Sequence, residues 1–214
     1  MTFASGSVDV VSYLGLGRIF TANMTGNIIF LALAIGQRDL SIALNSVIAL
    51  AGFSVGAIFA GRVLGHVKPA TGWPPRVTAL LYGHFACMAA FSVGWVIQSG
   101  YPAGAGLYLL IALSSYGMGL QNAVARHLAV PGLSTTVVTM ALTGFMMDLP
   151  ALGITGPGQR RALFAVIFLF SGAAVGGTLV VFARVTPPIL TAAILGAVAV
   201  AATVRFGGRP ASAR

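Results

Sequence analysis

Acidic residues are nearly absent from this sequence. It contains no glutamate, and Asp9, Asp39 and Asp148 are its only acids against 12 lysines and arginines in 214 residues. Charged residues make up 7% of the chain, whereas roughly 25% is usual in a soluble domain. An ordinary soluble globular protein is therefore excluded. The presence of one cysteine, Cys87, excludes an intramolecular disulfide framework.

The excess of positive charge, formally +9, does not indicate a nucleic-acid-binding protein. Such proteins group lysine and arginine on one hydrated surface, whereas the cations here are scattered between apolar runs. Apolar residues make up 57% of the chain, and the mean hydropathy is +0.95. These features are typical of an integral membrane protein with its cations in loops. We therefore expect the lipid bilayer as its surroundings and no nucleic-acid partner.

Eight apolar stretches follow one another along the chain, separated by short turns. A helix needs about 20 apolar residues to cross about 30 Å of hydrocarbon. The stretches are Thr2–Phe20, Thr21–Gly36, Leu40–Gly65, Val77–Ser99, Ala105–Val130, Leu133–Leu149, Ala162–Ala183 and Pro188–Val204. Because no turn is long enough for a soluble domain, we predict one all-α polytopic membrane domain over residues 1–214.

The two halves of the chain, about 1–100 and 101–214, resemble each other in the order of their motifs. The shared motifs are T-x-x-x-T-G and a later pair of glycines four residues apart. They lie at Thr21–Gly26, Gly52 and Gly56 in one half and at Thr139–Gly144, Gly172 and Gly176 in the other. Glycine pairs of this spacing predict close packing between helices. The nearly constant offset predicts an internal repeat of three spans in each half.

The positions of the cations distinguish between two topologies. Thr21–Gly36 and Leu133–Leu149 are short for a full crossing; if both nevertheless cross, the cations divide evenly between the two sides. If both instead enter and leave on one side, six spans remain, and only Arg18, Arg38 and Arg184 face away from the other cations. That second arrangement obeys the positive-inside rule. It predicts six transmembrane helices, two short re-entrant or broken polar segments, halves of inverted topology, and both termini in the cytoplasm.

Two blocks of sequence resemble the YoaK-like family of bacterial membrane proteins. Phe20–Asn27, which reads Phe-Thr-Ala-Asn-Met-Thr-Gly-Asn, follows Val-Asp-Val at residues 8–10, and Gly119–Ala123 is followed by Arg126 and later by Thr135-Thr136 and Thr139. The resemblance covers almost the whole chain. It implies about six spans in a bacterial inner membrane, but no substrate or reaction. Because family members usually carry more sequence before the Val-Asp motif, we also expect the first helix to be longer than this chain shows.

An acidic side chain within the first apolar stretch, Asp9, is the first candidate for function. An ionised carboxylate in hydrocarbon costs several kcal/mol unless it faces a partner or a water-filled cavity. Asp9 is therefore either a proton or cation site or the partner of Arg126 in an ion pair that fixes two helices. A buried pair of this kind adds little net stability but specifies how helices pack.

Threonine and asparagine side chains on the short segments are the second group of candidates. Thr21 and Thr25 are four residues apart, as are Asn23 and Asn27, and this spacing predicts that each pair shares a helix face. The complete set of predicted binding residues is Asp9, Thr21, Asn23, Thr25, Asn27, Gln121, Asn122, Arg126, Thr135 and Thr139. Their hydroxyl and amide groups suit a small polar solute or a dehydrated ion. In the alternative interpretation, these groups only bond their own helix or link neighbouring helices.

No pattern in the sequence indicates catalysis or metal binding. The three histidines are far apart with a single cysteine, and neither a P-loop, a dinucleotide fingerprint nor a catalytic triad is present. We expect no enzymatic activity, no cofactor and no metal. The leading hypothesis is a secondary carrier or channel for a small polar solute or ion, and the alternative is a membrane scaffold or assembly partner that does not transport. A homodimer through the glycine pairs stays open.

Overall fold

The computed structural model describes residues 1–65, 73–128, 143 and 157–206. Within this part of the chain the structure is helical and contains no strand. Its helices are α1 (Thr2–Gly15), α2 (Met24–Gln37), α3 (Leu40–Leu64), α4 (Pro75–Ile97), α5 (Gly104–His127), α6 (Pro157–Phe182) and α7 (Thr186–Phe206). The predicted all-α class is confirmed for these residues.

Four of these helices are long and apolar enough to cross a membrane: α3, α4, the part of α6 from Leu163, and α7. Helix α5 has 24 residues, but its serines and amides lower its hydropathy. Helices α1 and α2 have 14 residues each, about 21 Å at 1.5 Å per residue, which is short of a full crossing. The protein is therefore a multi-pass membrane protein with helices of unequal length.

The break between the first two helices falls earlier than the apolar pattern predicts. Helix α1 ends at Gly15 rather than at Phe20, because Gly17 and Arg18 have φ angles of 79° and 63°, which a right-handed helix does not allow. Helix α2 begins only at Met24. A non-helical connection, residues 16–23, therefore separates the two helices.

Two further predicted boundaries concern the second half. The helix that contains the predicted stretch Ala162–Ala183 begins earlier than that stretch, since α6 begins at Pro157. The second short stretch, Leu133–Leu149, lies outside the described residues except for Thr143, which is helical.

Helices α1 and α6 pack closely along a seam of glycines. A Cβ on Gly172 would meet the carbonyl oxygen of Phe3, and one on Gly176 would lie 3.0 Å from the Cα of Ser7. Both positions therefore require glycine. Since the contacts advance along both helices together, α1 and α6 run parallel.

A matching seam joins α3 to α5. A Cβ on Gly52 would lie 2.9 Å from the carbonyl oxygen of Ala112, and one on Gly56 would meet the carbonyl oxygen of Tyr116. Here too a glycine pair four residues apart meets a pair four residues apart on a parallel helix. Close packing at both predicted glycine pairs is thus confirmed.

Contacts made by helix α4 show the directions in which α1 and α5 run. A Cβ on Gly15, at the end of α1, would meet the ring of Trp95 near the end of α4, and Val8 packs in one cluster with Met88. Helices α1 and α4 therefore run parallel. A Cβ on Gly94 would lie 2.8 Å from Leu110 and one on Gly117 2.9 Å from Met88, so α5 runs antiparallel to α4. Helix α1 is consequently antiparallel to α5.

These directions separate the described arginines between the two ends of the bundle. The cationic end, as we call it, carries Arg62, Arg76, Arg126, Arg160 and Arg205. The opposite end carries Arg18, Arg38 and Arg184. At that end Trp95 Nε1 donates to the carbonyl of Arg184 over 2.8 Å, and Arg184 Nε donates to the carbonyl of Gly100 over 2.7 Å. These bonds tie the turn before α5 to the turn before α7.

The glycine seams predict opposite effects for two substitutions on α3. Gly56→Ala places a methyl group against the backbone of Tyr116 and should lower the free energy of unfolding by about 1–3 kcal/mol, the usual effect of overpacking. Gly61→Ala meets no described atom within 4 Å and should raise the free energy of unfolding by up to about 1 kcal/mol through helix propensity. Denaturant titration of both variants in detergent micelles measures the difference. Equal effects at the two positions would contradict the seam.

Candidate functional site

The carboxylate of Asp9 holds the connection between α1 and α2. Asp9 is 8% exposed, and its Oδ1 accepts hydrogen bonds from the backbone N–H of Thr21 over 3.0 Å and of Ala22 over 2.7 Å. Because Asp9 lies midway along α1, the chain must turn back into the bundle after Gly15 to bring Thr21 to this level. The carboxylate also lies just before the start of α2, where a negative charge is favoured by the helix dipole.

Asn27, on α2, binds the backbone of the same connection. Its Oδ1 accepts from the backbone N–H of Phe20 over 2.8 Å, while its Nδ2 donates to the backbone carbonyl of Phe20 over 2.5 Å. The side chain is fully buried. Asn23 precedes α2 and caps it, since its Oδ1 accepts from the N–H of Gly26 over 3.4 Å. Both asparagines thus bind backbone groups of the chain itself.

Thr21 and Thr25 do not share a helix face, so that prediction is wrong. Thr21 lies before the first residue of α2, because Asp9 holds its backbone in the non-helical connection. Its hydroxyl is fully buried and lies 3.1 Å from the hydroxyl of Ser12 on α1. Thr25 lies in the first turn of α2 and is exposed on the outside of the bundle.

Aromatic contacts hold α2 alongside α1. The ring of Tyr13 on α1 lies 5.7 Å from that of Phe20 and 6.1 Å from that of Phe30 on α2, centroid to centroid. Asp9 contacts the lead into α2, and Tyr13, one turn later on α1, contacts Phe30 further along α2. Helices α1 and α2 therefore run in the same direction.

Gln121 links the first helices of the two halves. Its side chain is 2% exposed, and its Nε2 donates to the hydroxyl of Ser5 on α1 over 3.0 Å. Its other polar atom, Oε1, has no hydrogen-bond partner among the described residues. Asn122 beside it bonds within its own helix, from Nδ2 to the carbonyl of Met118 over 3.0 Å.

The proposed ion pair between Asp9 and Arg126 is wrong. The structure describes both side chains and forms no salt bridge between them. Backbone N–H groups of the connection already occupy Asp9 Oδ1, whereas Arg126 is exposed in the last turn of α5, at the cationic end. The two residues are thus far apart along the bundle axis.

The structure brings Asp9, Thr21, Asn23 and Asn27 together at one connection and places Gln121 one turn earlier along α1, at Ser5. Thr135 and Thr139 lie outside the described residues.

Several buried polar residues around α1 were not among the predicted site residues. Thr191 on α7 donates to the hydroxyl of Ser7 over 3.1 Å, and His84 on α4 is 1% exposed, with no hydrogen-bond partner for its Nε2. The sequence feature that could have indicated these contacts is a set of three serines on the short helix α1, at positions 5, 7 and 12. Helix α1 buries all three. In the described part of the chain, no three His, Cys, Asp or Glu side chains meet as a metal site requires.

The geometry predicts what replacing Asp9 does. Asp9→Leu removes the acceptor for two buried N–H groups, and each unpaired group costs about 1–3 kcal/mol, so the free energy of unfolding should fall by roughly 2–6 kcal/mol. Asp9→Asn retains a carbonyl acceptor and should lose markedly less. Arg126→Gln should leave stability unchanged. Denaturant titration of the single and double variants gives the coupling energy between positions 9 and 126, which should be near zero; a coupling above about 1 kcal/mol would reinstate the ion pair.

Comparison with known proteins places the chain in a family. The model of a family described as "Protein of unknown function (DUF1275)" matches residues 1–202. The chain is 40% identical over 149 residues to "UPF0700 transmembrane protein YoaK" of Bacillus subtilis (strain 168), a match that covers 70% of this chain and 64% of that relative. The chain thus matches slightly less than two thirds of the relative's length, and no solved structure matches it. These matches confirm the resemblance carried by Phe20–Asn27: the chain belongs to the DUF1275 family of membrane proteins.

Proposed function

We propose that this protein is a secondary carrier or channel for a small polar solute or ion in a bacterial inner membrane. The observation that carries the proposal is the non-helical connection at residues 16–23, which Asp9 and Asn27 hold inside the bundle. Non-helical backbone at membrane depth is tolerated where protein buries it or where it lines a cavity. Broken helices of this kind are the usual place of substrate sites in secondary carriers.

The path of residues 16–37 supports a re-entrant segment. The chain turns back after α1 to the level of Asp9, and α2 then runs in the direction of α1 to Gln37, two residues before the start of α3. The segment thus enters and leaves at the same end of the bundle. Together with five longer helices and α1, this gives the proposed count of six spans. The second proposed re-entrant segment, Leu133–Leu149, lies outside the described residues.

The helix pairs support halves of inverted topology. One seam joins α1 of the first half to α6 of the second, and the matching seam joins α5 of the second half to α3 of the first. Helices α1 and α5 run in opposite directions, as two inverted repeats require. Carriers built in this way expose a central site alternately to each side by moving one set of helices against the other.

The arginines support a cytoplasmic position for both termini. Positive charge is enriched in cytoplasmic loops, and the described arginines are more numerous at the cationic end. Both the start of α1 and the end of α7 lie at that end.

A membrane scaffold remains the second candidate, and a specific observation favours it. The carboxylate oxygen Oδ1 of Asp9, the amide of Asn27 and the hydroxyl of Thr21 are already bonded inside the chain. These groups can bind a solute only by giving up bonds that hold the connection together. If they act as framework alone, a carrier must recognise its solute elsewhere in the interior, and a scaffold needs no such place.

Thiol labelling tests the proposed topology. In a Cys87→Ser background, Arg38→Cys and Arg205→Cys place one thiol at each end of the bundle. With the segment re-entrant, a membrane-impermeant maleimide should label the first thiol only from outside the cell and the second only after the membrane is opened. Labelling of both from the same side would support eight spans and contradict the re-entrant segment.

Solute uptake tests the proposed function. Proteoliposomes that contain the full chain should take up at least one member of a panel of ions, zwitterions and neutral solutes faster than protein-free vesicles. Asp9→Leu, which releases the connection, should abolish that uptake, whereas Arg126→Gln should retain it. Uptake indistinguishable from that of protein-free vesicles for the whole panel would defeat the carrier and favour the scaffold.

A further inference from the structure

Two long side chains in the interior present polar atoms that no described residue satisfies. His84 Nε2 on α4 and Gln121 Oε1 on α5 are buried without a hydrogen-bond partner, and their side chains are 1% and 2% exposed. The hydroxyls of Ser46 and Ser115 are also unpaired, but a serine hydroxyl can rotate onto a carbonyl of its own helix. An imidazole nitrogen and an amide oxygen at the end of a side chain lack that freedom, and most buried polar groups in proteins are paired.

The two unpaired atoms lie in the same part of the bundle, beside α1. A Cβ on Gly117 would lie 3.3 Å from Cδ2 of His84, and Gln121 follows Gly117 by one turn on the same face of α5. Gln121 Nε2 reaches Ser5 over 3.0 Å. Met88, one turn after His84, packs against α1. Helices α1, α4 and α5 therefore converge on His84, Gln121 and Ser5.

We propose that His84 Nε2, Gln121 Oε1 and Ser5 Oγ form a recognition site for a small uncharged solute that carries both a hydrogen-bond donor and an acceptor, such as a primary amide. The amide oxygen of Gln121 accepts a bond from the solute, and His84 Nε2 supplies a second polar contact. This inference rests on the proposed transport function and gives it a substrate class. It also places recognition of the solute at His84 and Gln121, whose polar atoms are unpaired among the described residues, rather than at the Asp9 connection.

The charge and space around the site limit the solute. Asp9, one turn after Ser5 on α1, is directed to the N–H groups of Thr21 and Ala22, and the nearest described cation on α5, Arg126, is exposed at the helix end. An anionic solute would therefore lose its hydration without gaining a counter-charge, and a cation would meet only a carboxylate whose Oδ1 already accepts two hydrogen bonds.

The packing limits the size of the solute in the same way. A single Cβ added at Gly117 would already lie 2.9 Å from the methyl group of Met88 and 3.1 Å from Cβ of Cys87. A solute larger than a few heavy atoms would therefore have to displace these helices.

Permeability measurements with matched variants test the site. Proteoliposomes with the full chain are mixed with hyperosmotic urea, acetamide or glycerol, and swelling is followed by stopped-flow light scattering. His84→Leu and Gln121→Met should each reduce urea and acetamide permeability about tenfold, the effect of one lost hydrogen bond. Ser92→Ala and Ser114→Ala serve as controls on the same two helices and should retain permeability, because their hydroxyls bond only carbonyls of their own helices.

Thermal unfolding of the same variants separates recognition from structure. His84→Leu removes an unpaired polar atom, so it should unfold at the same or a higher temperature than the wild type while it loses permeability. If His84→Leu does not fold, His84→Gln provides the second variant and should change the ratio of urea to glycerol permeability. An unchanged ratio would contradict the site.

The remaining outcomes distinguish the site from the function. Amide permeability that survives both His84→Leu and Gln121→Met overturns the site but leaves the carrier intact. Facilitated flux restricted to charged solutes overturns the uncharged substrate class. Facilitated permeability to water alone shows that a water molecule satisfies both atoms, and this result also overturns the site. Absence of any facilitated flux in the wild type defeats the proposed function itself.

Discussion

Two backbone N–H groups bound by one buried carboxylate determine the path of the first third of the chain. Asp9 Oδ1 accepts from Thr21 and Ala22, and without these bonds the connection after α1 would leave unpaired backbone groups inside an apolar bundle. Such groups cost several kcal/mol each in hydrocarbon. Asn27 completes the arrangement by pairing both backbone groups of Phe20. The position of α2, and with it the start of α3 at the end of the bundle opposite to the start of α1, follows from this small set of bonds.

The second constraint is the close approach of helix backbones at the glycine seams. Apolar burial does not drive helices together in lipid, because the lipid tails are as apolar as the side chains. Association then depends on van der Waals contact, which a residue without Cβ permits at short distance. Gly172 faces the backbone of Phe3, and Gly56 faces that of Tyr116. The two seams therefore join the halves to each other more closely than most neighbouring helices within a half are joined.

The sequence predicted the class, the long helices and the glycine seams, because hydropathy and small-residue spacing depend on local composition alone. It placed the end of α1 at Phe20 instead of Gly15, because apolar residues continue through a turn that only the positive φ angles of Gly17 and Arg18 define. For Asp9 it left open a proton or cation site and an ion pair with Arg126. In the structure, backbone N–H groups bind the Asp9 carboxylate where the sequence suggested Arg126. Because every residue except proline has a backbone N–H group, no sequence pattern indicates which of them will bind a side chain. His84 was not among the predicted binding residues, since a single sequence does not show that its Nε2 lacks a partner among the described residues.

The octapeptide Phe20–Asn27 illustrates why a distinctive motif need not be a binding site. Its polar groups are rich in donors and acceptors, the property that first made them candidates, but the connection that they build uses those donors and acceptors. A site that binds a crossing solute needs polar groups that can exchange hydrogen-bond partners at little cost. Polar groups that hold the fold together must instead keep their partners. Asn27 and Oδ1 of Asp9 meet the second requirement, whereas Nε2 of His84 and Oε1 of Gln121 meet the first. The motif and the unpaired interior atoms are thus better understood as two parts of one mechanism, in which the connection fixes α1 and α1 supplies the wall of the site.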